Sequence, residues 1–71
     1  MSQSPAFPSN PVRLSRLTKN GAVLGYGDFK VSTVPGGATV VHYPNGDNCA
    51  VESVMDARWA ITLDVWMEMN F

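Results

Sequence analysis

The stretch HYPNGDNC, residues 42–49, places His42, Asp47 and Cys49 close together. A thiol beside an imidazole is the pair that Cys–His nucleophiles use, and a carboxylate added to both makes a metal-ligand set. The spacing matches no zinc signature. Zinc also needs three or four ligands, and the chain has one histidine and one cysteine. The expectation is structural: His42 on the polar face of a strand, and Cys49 as a small buried apolar side chain. No metal and no cofactor is expected.

Asp56, Asp64 and Glu68 are the candidates for acid–base work in a pair. On an extended strand Asp64 and Glu68 share a face but stand about 13 Å apart. Glycosidic carboxylates work at roughly 5–9.5 Å. The glycines of GYGDF and PGG fit neither GxxxxGK[ST] nor GxGxxG, so they read as turn residues, not a phosphate cradle. No enzyme activity is expected.

Nucleic-acid binding is a third possibility. Tyr26, Phe29 and Tyr43 could stack bases, with Arg13, Arg16, Lys19 and Lys30 supplying charge. The sequence pI of about 5.5 argues against a basic footprint. A nucleic-acid partner is disfavoured.

What composition favours is protein contact. Charged residues make up 15% of the chain, against roughly 25% in average domains. In so small a chain, low charge leaves much neutral or apolar surface, which is often interface. The charges are also segregated. Residues 1–30 hold four cations against Asp28 and carry +3, and residues 31–71 hold Arg58 against five carboxylates and carry −4. Such a chain can pair head to tail with its own copies, or cancel its two halves internally.

Seventy-one residues make one domain with a thin stability margin. One cysteine allows no internal disulfide, so self-association or docking on a larger assembly is the expected aid. No secretory leader and no apolar run of membrane-spanning length is visible. A lone cysteine fits a reducing compartment. The expected location is a cytoplasm, or a particle assembled in one.

Residues 1–11 read as a Pro-rich extended arm, with Pro5, Pro8 and Pro11 at every third position, and residues 12–71 as the single β domain. Asn20-Gly21 predicts a hairpin between strands near 12–18 and 22–26, while a short helix over 11–19 competes. FKVSTV and ATVVHY, joined by Pro35-Gly36-Gly37, predict a central hairpin. Residues 48–57 fit one or two helical turns or a weak strand. In WAITLDVWMEMNF, every odd position from Trp59 to Phe71 is apolar, which predicts a strand over 58–70.

The expected fold is a mainly β protein: a small antiparallel sheet or mini-barrel of four to six strands, with an N-terminal arm and room for a short helix near 48–57. The expected function is a non-enzymatic protein–protein module, an assembly or decoration subunit of a larger particle such as a viral one. The alternative is an inhibitor of a host protein or nucleic-acid machine. Trp66, Phe7, Asp64, Glu68, Arg13 and Arg16 are the expected partner-binding residues. Trp66 leads them because it breaks the polar face of the expected strand.

Overall fold

The computed structural model describes residues 6–18, 23–34 and 36–70. It contains a five-stranded antiparallel sheet in sequential order and one C-terminal helix. The strands are β1 (Ser15–Arg16), β2 (Val23–Tyr26), β3 (Phe29–Thr33), β4 (Thr39–His42) and β5 (Asn48–Val51), and the helix is α1 (Val54–Asn70). The chain is mainly β and small, as its patterning predicts. The sheet is open, with β1 and β5 as its edges.

Local turn chemistry builds the sheet. β2 and β3 join through the two-residue loop Gly27-Asp28, with Gly27 at φ 58°. Glycine at the first position of such a loop gives the type II′ turn, whose twist matches the flanking strands. Between β3 and β4, Gly37 N–H donates to the Val34 carbonyl at 2.8 Å and Gly36 sits at φ 70°, as a type II turn requires. Pro35 and Asn20-Gly21 lie outside the described residues. Between β4 and β5, Gly46 N–H donates to Tyr43 O at 3.0 Å and Tyr43 N–H to Asp47 O at 2.8 Å.

One face of the sheet carries the core. Leu24, Val31, Val41 and Cys49 lie side by side across four strands. Val31 and Val41 are fully buried, and Phe29 nearly so. Cys49, in the same row, is exposed, which corrects its expected burial. The helix packs over β3, β4 and β5, most closely over β4.

The main correction concerns residues 54–70. They form a 17-residue helix, not the expected strand over 58–70 with a short helix before it. Val54, Ala57, Ile61 and Val65 recur at intervals of three and four, the spacing of one helical face. Ala57 and Ile61 are fully buried against the sheet. The start is capped. Asp56 N–H donates to Ser53 Oγ at 3.1 Å, Ser53 Oγ donates to Asp56 Oδ2 at 3.0 Å, and Ala57 N–H donates to Ser53 O at 3.0 Å. Ser53 is thus the N-cap residue, and Asp56 orients its hydroxyl. Alternation misleads here because the helix carries large apolar residues on three sides. One side meets the sheet, one meets residues 7–12, and one faces solvent.

Candidate interaction surface

Two of the expected contact residues meet each other. Phe7 packs face to face with Trp59 at 5.9 Å between ring centres and edge-on to Trp66 at 5.6 Å. The two tryptophans stand seven residues apart, two helical turns, so both point to one side of α1. Trp66 is half-buried. Its anomaly in the alternating pattern arises from a helical period, and that period was the signal for Trp59 as well.

Polar bonds continue this clasp. Val12 N–H donates to Thr62 Oγ1 at 2.8 Å, and Arg58 Nε donates to Val12 O at 2.9 Å. Thr62 Oγ1 in turn donates to the Arg58 carbonyl at 2.7 Å. The segment from Phe7 to Val12 is thereby tied to α1 across about fifty residues of sequence. Thr62 is 98% buried with every polar atom satisfied.

Asp64 and Glu68 stand one helical turn apart, not at the spacing of a strand. They line an open cleft with Tyr43, Pro44, Asn45, Asp47 and Met67. Asp47 is oriented by Asn45, whose Oδ1 accepts from Asp47 N–H at 2.9 Å and whose Nδ2 donates to Asp47 Oδ2 at 3.1 Å. Like charges at i and i+4 destabilise a helix slightly. They also sit in its C-terminal half, where the macrodipole is negative, and no basic residue stands in the last turn. This end of the molecule attracts cations. Burial, and then the charges of Cys49 and Asp64, push the Tyr43 phenol above its ordinary value, so it stays neutral in the cleft.

Cations gather near the start of α1. Arg13 and Arg58 line a second cleft with Leu14, Leu24 and Val54. Arg16 is exposed on β1. The structure thus brings Asp64 together with Glu68, and Phe7 together with Trp66. It sets Arg13 and Arg16 toward the opposite end of the helix. Tyr43, Asn45, Asp47 and Met67 complete the acidic cleft; the sequence offered Tyr43 and Asp47 only for other chemistry and gave no site signal for Asn45 or Met67.

On the other face of the sheet, Ser32 Oγ lies 3.0 Å from His42 Nε2, and His42 Nδ1 lies 2.8 Å from Asn48 Oδ1. The Asn48 oxygen only accepts, so Nδ1 carries hydrogen in this contact, and Ser32 Oγ can serve Nε2 as donor or acceptor. This is the order of a nucleophile, its base and an orienting group. Catalysis would also need donors aimed at a developing oxyanion. β3 and β4 are central strands whose N–H groups are committed to the ladders on either side. Neither described cleft includes these three residues. The chain of bonds acts as a cross-strand ladder over β3, β4 and β5.

Among the described residues, no three His, Cys, Asp or Glu side chains cluster as a metal site. No helix among them is long and apolar enough to cross a membrane. No family model, curated protein or solved structure matches the chain.

Proposed function

We propose that the protein is a non-enzymatic protein–protein interaction module, a small subunit that joins a larger repeating assembly. The observation that carries this reading is the exposed apolar surface of α1. Leu63 is 45% exposed and Met67 42%, and Met69, on another side near the C-terminus, is 73% exposed. Ala60, Leu63 and Met67 follow the i, i+3, i+7 spacing of one face, which borders the acidic cleft at Met67. The buried apolar core holds only Phe29, Val31, Val41, Ala57 and Ile61 among the described residues. A domain with so small a core gains most from covering such a face. Methionine suits a surface that must adapt to a partner.

Sedimentation velocity of the full chain tests this. Species heavier than the 7.7 kDa monomer are expected, and Leu63→Glu should reduce them while leaving the circular dichroism spectrum unchanged. A strict monomer at all concentrations, insensitive to Leu63→Glu, would defeat the reading.

A second reading rests on the acidic cleft. Asp47, Asp64 and Glu68 around Tyr43 suit a basic side chain of a target protein, as a one-to-one inhibitor would use. Stoichiometry separates the two: many copies on a symmetric assembly, or one copy on a soluble target.

A further inference from the structure

The two edges of the sheet carry opposite charge. Residues 12–18, around β1, contain Arg13 and Arg16 and no carboxylate. Residues 47–52, around β5, contain Asp47 and Glu52 and no cation. All four of these side chains are exposed.

Each edge also has backbone groups directed outward. Leu17 N–H donates to Val23 O at 2.8 Å, so Ser15 and Leu17 bond inward to β2. By the alternation of an antiparallel ladder, the N–H and C=O of Leu14 and Arg16 then point away from the sheet. Tyr43 N–H donates to Asp47 O, so Asp47, Cys49 and Val51 bond inward to β4. Asn48 and Ala50 therefore present theirs outward. Ala50 O accepts only a weak contact from the Cys49 thiol at 3.7 Å among the described residues. Asn48, Cys49 and Ala50 are exposed, and β5 has no proline or charge within it to blunt pairing.

Charge decides which pairing is allowed. Two β5 edges would crowd Asp47 and Glu52 of one copy against the same residues of the other. Two β1 edges would do so with Arg13 and Arg16. Like charges across a strand pair are destabilising, and opposite ones are favourable. Each edge is guarded against itself and matched to the other.

We infer that copies of this chain associate head to tail, the basic β1 edge of one joining the acidic β5 edge of the next. This rests on the assembly reading above and specifies its geometry. The contact is heterologous, so the product is a ring if the rotation closes and a filament if it does not. Backbone hydrogen bonds would supply the attraction, with the edge charges selecting the pairing.

Sedimentation velocity of the full chain tests the inference at low and high ionic strength. Two variants are compared: Arg13→Glu with Arg16→Glu, and Asp47→Lys with Glu52→Lys. All four positions are exposed, and circular dichroism confirms that each variant keeps its fold. Oligomers larger than a dimer are expected for the unaltered chain, shrinking as salt is added. Each variant alone should associate at least about tenfold more weakly, because both of its edges then carry one sign. Mixing the two variants should restore assembly, since each offers the edge the other lacks. A salt-insensitive dimer that forms a Cys49–Cys49 disulfide on mild oxidation would show β5 pairing with itself and overturn the inference. If Leu63→Glu abolishes association while the edge reversals do not, the edge inference falls and the assembly reading stands. A monomer under every condition defeats both.

Discussion

The sheet and the helix are held by different kinds of contact. From β2 to β5, each strand pairs with its sequence neighbour through a turn of two to five residues. The helix depends on partners far along the chain: Ile61 on Val31 and Val41, Thr62 on Val12, and Trp59 and Trp66 on Phe7. The sheet is therefore encoded in neighbours, and the placement of the helix in distant residues. Damage to a turn should stay local, whereas damage to α1 should loosen the whole fold.

The largest test of that contrast is Ile61→Ala. Ile61 is fully buried between α1 and the sheet, and its loss should cost about 2–5 kcal/mol in urea unfolding. A cost below that of an exposed residue such as Met69 would mean that the helix does not close the core. Next is Thr62→Val, which keeps the shape and removes the acceptor for Val12 N–H. A loss of about 1–3 kcal/mol is expected, with faster hydrogen exchange at the Val12 amide. Unchanged exchange there would show that residues 7–12 do not depend on α1.

Ser53→Ala removes the helix cap and should cost about 1 kcal/mol, read as a lower urea midpoint with the sheet signals intact. Phe7→Ala should cost about 0.5–1.5 kcal/mol, because Phe7 is half-exposed and contributes mainly its ring contacts. Removing residues 1–10 should match it in stability. A larger loss would make the arm part of the core.

The smallest effect is a pH dependence. The raised Tyr43 value means that the folded chain keeps this proton after the unfolded chain begins to lose it. Its contribution is complete below the ordinary value of 10.0 and disappears as pH rises through the folded-state value. Tyr43→Phe should flatten that part of the alkaline decline in stability. An unaltered pH profile would show that the cleft does not hold the phenol neutral.

Legibility followed the same division. Pro-Gly-Gly and Pro-Asn-Gly marked two turns because proline fixes φ and glycine accepts the positive φ that the turn needs. β3 and β4 followed from alternation between those turns. Ser53 and Asp56, three apart, were a helix start written in the sequence, and the perfect alternation after Trp59 outweighed them. Asp64 and Glu68 share a face in either conformation, so they were legible as a pair. Their separation was not, since it depends on whether the backbone rises as a strand or a helix.

The sequence by itself determined a small antiparallel sheet built on hairpins and the two charged halves. Each rests on residues within a few positions of one another, where φ preferences and charge act without the rest of the chain. Only the tertiary structure decided that 54–70 is helical, that Trp66 faces Phe7, and that Cys49 is exposed. The helix has apolar residues on three sides, so its period is hidden until the sheet takes one side and Phe7 another. Cys49 sits in a core row, yet it lies on the edge strand β5, which has a neighbouring strand on one side only. Those outcomes depend on which surfaces meet across fifty residues of chain, and no local pattern records that.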